Sequence, residues 1–347
     1  MVKSLKQFVP IFANSGAFRI MVSVLDQSGR ERPNLLRVLT YHRVDTPQAR
    51  PWLDPVLISA SPQGFDAQMK YLAANYQPIS IFDVLKALEK NDQKLPPRAV
   101  LVTFDDAYQD FEQHAWPVLK QYRIPVTLFV PTAFPDHPER PFWWDRLFHT
   151  LYSTVKTEIS TPVGSLAIGT DLERRQANLR LKNYIKSLPN DKAIAFVEDI
   201  ELQMNTSPKA NCVLGWEELR KLAQEGVTLA PHTQTHPIMT HIPPGAMQKE
   251  ALDSLYDLKR EIGETPPVFA YPSGFHNAEV VSAVRAAGFK LAFTTERGIN
   301  ILGSDDPLQL QRINVGAQTT VPILRAQLMS LSAFLYPIGK KVLTAFG

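Results

Sequence analysis

Seven short apolar runs limit the folds open to this chain more than any other feature of its sequence. Most of them lack the polar and apolar alternation of a half-exposed strand, so we expect both faces of each strand to be covered, as in a parallel sheet. The predicted strands are LLRVLTY (35–41), AVLVTF (99–104), PVTLFV (125–130), VTLA (227–230), VFAY (268–271), LAFTT (291–295) and LQRINV (310–315).

Helical patterns separate these runs. SPQGFDAQMKYLAANY and SIFDVLKALEK follow the first strand, DFEQHAWPVLKQY follows the second, and WEELRKLAQEG, EALDSLYDLKREIG and NAEVVSAVRAAG lie between later strands. Strands that alternate with helices indicate βα units. About seven such units that close on themselves form a distorted TIM-like (β/α) barrel of parallel strands, and this is the α/β fold class that we predict.

Residues 139–212 interrupt the alternation with charged, helix-prone sequence, and we predict a helical lid inserted there between the third and fourth strands. The barrel is expected to span residues 35–320, between an N-terminal helical segment (1–34) and a C-terminal amphipathic helix (321–347). Neither end contains a run of about 18 uninterrupted apolar residues, and no clear cleavage site follows the first. We therefore expect a cytoplasmic protein whose apolar termini form helices packed on the domain. Contact of either terminus with the surface of the inner membrane, an uncleaved anchor and export are the alternatives.

The composition excludes several classes of function. A net charge of +3 without a dense basic run argues against nucleic acid as a partner. The single cysteine, Cys212, excludes an internal disulfide framework and a cysteine-rich metal site.

Polar residues follow several of the predicted strands directly. His42 comes after the first strand, Asp105 and Asp106 come after the second, and PHTQTHP, with His232 and His236, comes after the fourth. The carboxyl ends of parallel barrel strands converge on one rim, so we expect these side chains to meet.

The residue types and their spacing favour a metal site. His232 and His236 are four residues apart, close enough for both imidazoles to face one ion, and one carboxylate completes a set of donors suited to zinc, cobalt or ferrous iron. The second carboxylate can then take a proton from a bound water molecule. Adjacent strand residues point to opposite faces, so the two aspartates divide this work only if the chain turns, and we expect the turn at Ala107. Either motif alone is weak evidence, because surface acidic pairs and structural histidines are common.

At these residues the sequence resembles the polysaccharide deacetylases of carbohydrate esterase family four, which share the NodB-homology domain. TFDD matches the first motif of that family, HTQTHP matches the second, and FAYPSG at 269–274 corresponds to a looser third motif. The resemblance runs from about Leu35 to Val315. The YH dipeptide after the first strand and the WWD segment in the insertion are similar to members that act on bacterial exopolysaccharides.

The resemblance implies a role for each matching residue. Asp105 would be the general base, and Asp106, His232 and His236 would hold the metal, with Zn²⁺ expected first and Co²⁺ or another divalent ion as the alternative. Metal-bound water would attack the acetamide carbonyl of an N-acetylhexosamine unit in a polysaccharide or its precursor. The metal and the backbone N–H of Ser273 would stabilise the oxyanion, and acetate would leave.

The chain departs from the family pattern in three places. Ala107 replaces a usual glycine, Ala270 and Ser273 stand where the third motif carries arginine and tyrosine, and no Leu-x-His motif supplies the general acid. We hypothesise that His42 is the acid and that Arg312 orients the base. The competing interpretations are a hydrogen-bonded structural imidazole and a salt bridge that braces a loop.

Further substrate contacts are hypotheses of the same kind. Ser273 and Tyr271 of the third motif are assigned to the oxyanion or the substrate. Trp144 and Asp145 of the insertion are assigned to the substrate, with Trp143 as a second ring that could stack on a sugar. The alternative interpretation is structural: the tryptophans would be buried anchoring aromatics, and Asp145 would be an aspartate at the start of a helix.

Three functions compete on this evidence. A metal-dependent N-deacetylase, acting on an N-acetylated polysaccharide or oligosaccharide, uses every motif and is our prediction. A catalytically inactive carbohydrate-binding barrel is the alternative, supported by the missing arginine and acid motif. A glycosidase fits poorly, because its two carboxylates must flank the bond at about 5–9 Å and adjacent aspartates do not.

Overall fold

The structure is a computed structural model that describes residues 34–89, 94–207, 209 and 213–329. Its strands are β1 (Leu35–Tyr41), β2 (Arg43–Val44), β3 (Ile58–Ala60), β4 (Gln77–Pro78), β5 (Ala99–Asp105), β6 (Val126–Val130), β7 (Glu158–Thr161), β8 (Gly164–Ala167), β9 (Thr228–Pro231), β10 (Val268–Ala270), β11 (Leu291–Arg297), β12 (Asn300–Ile301) and β13 (Leu310–Asn314). Its α-helices are α1 (Pro62–Asn75), α2 (Ile81–Glu89), α3 (Trp116–Tyr122), α4 (Trp143–Ser153), α5 (Asp171–Ile185), α6 (Asn190–Met204), α7 (Trp216–Gln224), α8 (Pro244–Ile262), α9 (Ala278–Ala286) and α10 (Val321–Leu328).

Seven parallel strands form the wall of a nearly closed barrel, in the order β10-β11-β13-β1-β5-β6-β9. They are the seven predicted strands, each ending within two residues of its predicted bounds. The predicted (β/α) barrel is therefore confirmed. Tyr41 pairs with Phe104, and Asp105 pairs with Phe129, so the carboxyl ends of β1, β5 and β6 lie side by side.

Side chains join the two edge strands of this sheet, β9 and β10. His232 Nδ1 lies 2.7 Å from the carbonyl oxygen of Ala270, and Thr265 Oγ1 donates to the carbonyl of Leu229 at 2.8 Å. The edge of the barrel is thus held by side-chain hydrogen bonds instead of a backbone ladder.

Both faces of the barrel strands are covered. Leu36, Phe129 and Phe293, from three different strands, share one apolar cluster, which places them inside the barrel. Leu39 belongs to a second cluster together with Leu119 of α3, on the outer face. All residues of β1 and β5 are buried, as expected for parallel strands with helices outside and a packed interior.

The predicted helices are confirmed, and local capping explains where several begin. Ser61 Oγ accepts from the backbone N–H of Gly64 at 3.1 Å, and Pro62 occupies the first turn of α1. Asn277 Oδ1 accepts from the N–H of Val280 at the start of α9. The short strands β2, β3, β4 and β12 were not predicted, because two or three residues are too few for a periodic pattern.

The insertion between β6 and β9 contains α4, a β7–β8 hairpin, α5 and α6. It has an apolar cluster of its own, which includes Leu151, Leu181 and Val197. Its helical character was predicted and its hairpin was missed, because β7 and β8 are mostly exposed and polar. A capping box of Thr170 and Glu173 begins α5.

The predicted terminal segments fall largely outside the described residues. Val321–Leu328 form α10, whereas residues 1–33 and 330–347 are not described, so the limits of segments 1–34, 35–320 and 321–347 stay predictions. Within the described ranges, no helix combines the length and the apolar character needed to cross a membrane.

Candidate active site

A cleft of about 500 Å³ opens at the carboxyl ends of the barrel strands. Residues from the barrel rim and from the insertion both line it. The lining residues are His42, Val56, Leu57, Ser59, Asp105, Asp106, Trp143, Trp144, Lys182, Lys186, His232, His236, Ser273, Thr295, Asn314 and Val315. The strand-end residues that were predicted to meet at the barrel rim therefore line a concave cleft.

Asp105 ends β5 and is held by Arg312 of β13. Arg312 Nη1 donates to Asp105 Oδ1 at 2.9 Å, and Nη2 donates to Oδ2 at 2.8 Å. Arg312 is fully buried, and its Nε donates to the carbonyl of Thr294 at 2.8 Å, which fixes the plane of the guanidinium. Burial is the largest single influence on the pKa of Asp105 and acts to raise it. The charge of Arg312, the nearby imidazoles of His232 and His42 and the hydrogen bonds from Arg312 together outweigh burial and hold that pKa below its usual value.

The chain turns at Asp106 and Ala107, and the turn predicted at Ala107 thus begins one residue earlier. Asp106 and Ala107 both have positive φ, 75° and 53°, which is uncommon for residues other than glycine. The turn breaks the strand alternation, so Asp105 and Asp106 both line the cleft. The loop is fixed by a hydrogen bond of 2.9 Å from the N–H of Leu214 to the carbonyl of Ala107. Alanine in place of the usual glycine is therefore accommodated in the left-handed conformation.

His232 and His236 come from the segment after β9. The N–H of His232 donates to the carbonyl of Val130, which extends the pairing of β9 with β6 by one bond. His232 Nδ1 lies 2.7 Å from the Ala270 carbonyl and so carries the proton, which leaves Nε2 with its lone pair. The N–H of His236 donates to Thr233 Oγ1 at 3.0 Å and holds the turn between the two histidines.

The three predicted ligands come together. His232 Nε2 and His236 Nε2 lie 3.6 and 3.3 Å from Asp106 Oδ1, and one ligand atom from each residue lies within 4.8 Å of the others. Asp106 Oδ1 is buried and makes no hydrogen bond. Burial lowers the pKa of His232 to about 4, which keeps its imidazole neutral at physiological pH. An unpartnered carboxylate oxygen that faces two imidazole nitrogens fits a divalent ion.

His42 lies at the cleft beside the proposed base. Its Nε2 is 4.0 Å from Asp105 Oδ2, and its side chain is 27% exposed. The backbone N–H of His42 donates to Ser59 Oγ at 2.9 Å. The imidazole is thus near Asp105 and accessible from the cleft.

The insertion supplies aromatic residues to the site. Trp143 and Trp144 line the cleft, and the ring of Trp144 packs edge-on against His236, with the ring centres 5.0 Å apart. Trp144 Nε1 donates to the hydroxyl of Tyr108 at 2.9 Å. Trp144 therefore braces a predicted ligand as well as lining the cleft.

Asp145 does not line the cleft, contrary to its assignment as a substrate contact. It is buried behind Trp144, where its Oδ2 accepts from the Tyr108 hydroxyl at 2.7 Å and its Oδ1 accepts from the N–H of Asp54 at 3.0 Å. Because Asp145 lies in the first turn of α4, its side chain points toward the barrel loops and away from the cleft. Burial raises the pKa of Asp145 to about 6, against the hydrogen bond from Tyr108.

The structure separates the two residues of the third motif. Ser273 lines the cleft, with a positive φ of 54°. Tyr271 does not line it, because its fully buried ring points outward and its hydroxyl donates to the carbonyl of Leu308 at 2.8 Å. The assignment of the Tyr271 side chain to the substrate was wrong.

Several cleft residues were not singled out in the sequence. Thr295 and Asn314 lie toward the carboxyl ends of β11 and β13, and the expectation that residues at these strand ends meet at the rim could have identified them. Lys182 of α5 and Lys186, which caps the end of that helix, come from the insertion, and no sequence signal predicted that they line the cleft.

The fold and the donor set together define a (β/α)-barrel protein with a candidate mononuclear metal centre at the carboxyl ends of its strands. The model of the polysaccharide deacetylase family matches residues 92–162 and 171–292, more than half of the chain. The chain therefore belongs to the polysaccharide deacetylase family.

Individual relatives agree with this family. YxkH of Bacillus subtilis (strain 168), assigned to the polysaccharide deacetylases, is 22% identical over 269 residues, which cover 77% of this chain and 67% of YxkH. The poly-β-1,6-N-acetyl-D-glucosamine N-deacetylase of Escherichia coli (strain K12) is 30% identical over 101 residues, 29% of this chain and only 14% of that enzyme. The Streptococcus pyogenes deacetylase PplD has a similar fold, with a TM-score of 0.57 at 22% identity, over 86% of this chain and 99% of that chain.

Proposed function

We propose that this protein is a metal-dependent N-deacetylase that removes acetyl groups from N-acetylhexosamine units of a polysaccharide or its precursor. The observation that carries the proposal is the grouping of Asp106, His232 and His236 beside a carboxylate, Asp105, that an arginine holds in place. The N-deacetylase named for poly-β-1,6-N-acetyl-D-glucosamine among the relatives supports the class of substrate.

Asp106, His232 and His236 would hold the ion, and zinc suits their nitrogen and oxygen donors best. When bound, such an ion polarises the acetamide carbonyl and lowers the pKa of a water molecule. The chain contributes a fixed tautomer, because the Ala270 carbonyl holds the proton of His232 on Nδ1.

Asp105 is proposed as the general base. The ion pair with Arg312 keeps its carboxylate ionised, and each carboxylate oxygen retains a second lone pair that can accept a proton from water. Arg312 orients the carboxylate toward the cleft and occupies the role that the third motif usually gives to another arginine.

His42 and Ser273 complete the proposed site. The leaving amine needs a proton, and the partly exposed imidazole of His42, 4.0 Å from Asp105, is the candidate donor. The backbone N–H of Ser273, at the cleft wall, is the candidate donor to the developing oxyanion.

Metal content and acetate release test this proposal together. Elemental analysis should find about one divalent ion per chain in the wild type and none in a His232→Ala/His236→Ala variant. Acetate release from N-acetylglucosamine oligomers should fall by about 10²–10⁴-fold in Asp105→Asn and His42→Ala, with metal retained, because each removes a proton-transfer group. His137→Ala, which alters an exposed histidine paired with Glu139, is the matched control.

Two results would count against the proposal. If the wild type is folded but binds no divalent ion, the proposed metal-dependent reaction is ruled out. A wild type that binds the metal and the oligomers but releases no acetate supports the inactive carbohydrate-binding barrel instead. If His42→Ala releases acetate at the wild-type rate, His42 is not the general acid, and the rest of the proposal is unaffected.

A further inference from the structure

One wall of the cleft carries positive charge from the insertion. Lys182 lies in the last turn of α5, Lys186 is the residue that caps the end of this helix, and both line the cleft that contains Asp105 and Asp106. The cap keeps helical backbone angles, so these two residues, four apart, lie on the same face of the helix end.

Lys182 has its opposite charge within the protein. Its Nζ donates to Asp54 Oδ2, which also accepts from Asn178 Nδ2 at 3.2 Å. Asp54 is buried at 1% exposure and its backbone N–H is bound to Asp145. This network fixes α5 against the barrel and neutralises one of the two lysines.

Lys186 has no such partner. Among the described residues, its ammonium makes no hydrogen bond and no ion pair, although the side chain is half-buried. Neither cleft carboxylate is bound to Lys186, since Asp105 is paired with Arg312 and Asp106 faces the imidazoles of the candidate metal group. Burial, followed by repulsion from Lys182, lowers the pKa of Lys186, as expected for a cation that lacks a nearby carboxylate.

We infer that Lys186, with Lys182 beside it, binds an anionic group on the saccharide, so that this deacetylase prefers N-acetylhexosamine units that carry or adjoin a carboxylate or a phosphate. The inference rests on the proposed function and narrows its substrate class. Lys186 lines the cleft beside the candidate metal group and has no carboxylate partner in the described part of the chain, so its ammonium is available to form a charge-assisted hydrogen bond with an anion on the substrate. Because Asp54 cancels one charge, the pair has a net charge of about +1 to offer the substrate.

Matched saccharides test the preference. The substrates are an N-acetylglucosamine tetramer, a tetrasaccharide that alternates N-acetylglucosamine with glucuronic acid, and N-acetylglucosamine 1-phosphate compared with free N-acetylglucosamine. The measured quantity is the ratio of kcat/KM for acetate release from the anionic and the neutral member of each pair. The carboxylate and phosphate pairs distinguish the two sources of the anion.

We expect the ratio to exceed one in the wild type for at least one pair, and to fall about tenfold in Lys186→Met. Lys186→Arg should retain it, because the charge remains. Lys192→Met, which changes an exposed lysine of α6 outside the cleft, is the matched control. Raising the salt concentration should reduce the wild-type ratio, since the interaction is electrostatic.

Equal ratios in the wild type and Lys186→Met, or a wild-type preference for both neutral saccharides, would overturn the inference while leaving the deacetylase proposal intact. If the wild type releases no acetate from any substrate, the proposed function fails. Calorimetric binding of the same saccharides to the wild type and Lys186→Met then decides on anion recognition by itself.

Discussion

Asp105 and Asp106 are neighbours in the chain but lie in different electrostatic surroundings. Asp105 is bound at both oxygens by Arg312, whereas Asp106 faces the imidazole nitrogens of His232 and His236 with one oxygen that has no hydrogen-bond partner. Two adjacent carboxylates can take separate roles when their partners differ in this way. The turn with positive φ at Asp106 makes that separation geometrically possible.

Asp145 provides a prediction for the dependence of stability on pH. Burial raises its pKa from an ordinary value of about 3.9 to about 6 in the folded protein. Between these values the folded state binds a proton that the unfolded state has lost, so the Asp145 contribution is fully present below about pH 4 and is lost as the pH rises through about 6. The loss is on the order of 2–3 kcal/mol in the free energy of unfolding.

Urea unfolding of the wild type and Asp145→Asn at pH 4.5 and pH 7 measures this contribution. We expect similar stability at pH 4.5, where protonated Asp145 and the amide each offer one acceptor and a donor to Asp54 and Tyr108. At pH 7 we expect the variant to be the more stable protein, because the wild type has lost the Asp145 contribution and the amide does not titrate. A difference that is the same at both pH values would show that Asp145 does not titrate in this range.

The expectation that residues after parallel strands meet at one rim correctly placed Asp105, Asp106, His232 and His236 in one cleft, because a residue that follows a buried parallel strand must reach the rim. The substrate assignments of Tyr271, from the third motif, and of Asp145, from the insertion, did not place the side chains in the cleft, because a motif match does not say which way a side chain points. Arg312 was predicted as one of two alternatives, and burial together with two bonds to Asp105 was needed to choose between them.

At the scale of elements, the turn after β10 determines where the third motif lies. Pro272–Gly274 form a short 3₁₀ turn in which the carbonyl of Ser273 accepts from Thr295 Oγ1 at 3.2 Å. Thr295 lies in β11, so the turn is packed directly on the neighbouring strand. The position of Ser273 at the cleft therefore depends on close contact between this turn and β11.

Gly274→Ala should disturb that contact. Gly274 has a φ of +73°, and a Cβ there would lie 2.0 Å from Thr295 Oγ1 and 2.5 Å from the Thr295 backbone nitrogen. A strand backbone cannot move away easily, so we expect a loss of about 3 kcal/mol or more in the free energy of unfolding, from backbone strain and overpacking together. Acetate release should fall as Ser273 is displaced.

Gly288→Ala is the matched control for this prediction. Gly288 has a φ of +88° but no atom within 4 Å of the added Cβ, so only the backbone strain of about 1–2 kcal/mol is expected. Denaturant unfolding compares the two variants. Equal losses would mean that contact with Thr295 has no part in holding the turn.

Regular elements of this chain could be read from the sequence, and irregular ones could not. The apolar runs and helical patterns are long enough to show a period, which explains why the barrel strands and helices were predicted. The β7–β8 hairpin lacks buried alternation, and the placement of α5 over the cleft depends on Asp54 and Asn178, which are 124 residues apart in the chain. Contacts at that separation leave no local pattern.

At the scale of the whole molecule, the candidate metal group bridges parts of the barrel that are distant in sequence. Asp106 follows β5, His232 and His236 follow β9, and His232 also reaches across the sheet edge to the Ala270 carbonyl of β10. β9 and β10 are the strands of the barrel wall that lie at the two ends of its hydrogen-bonded order. An ion at this group would therefore tie β5 to β9 next to the open edge of the barrel.

Metal binding should consequently stabilise the whole barrel. A ligand that binds only the folded state at 100 times its Kd adds about 2.7 kcal/mol to the free energy of unfolding. For a chain of this size that corresponds to a rise of about 4 °C in the melting temperature. We expect this rise when Zn²⁺ is added to chelator-treated wild type, with a smaller effect of Mg²⁺, which prefers oxygen ligands in octahedral geometry.

Asp106→Asn and His232→Ala/His236→Ala separate this site from binding elsewhere on the surface. The double variant removes two donors and should show no rise, whereas Asp106→Asn keeps the shape of the group, loses its charge and should show a reduced rise. Differential scanning calorimetry with and without Zn²⁺ measures all three proteins. A rise of equal size in the double variant would place the ion away from the rim, and no rise in the wild type would remove the link between metal binding and the open edge of the barrel.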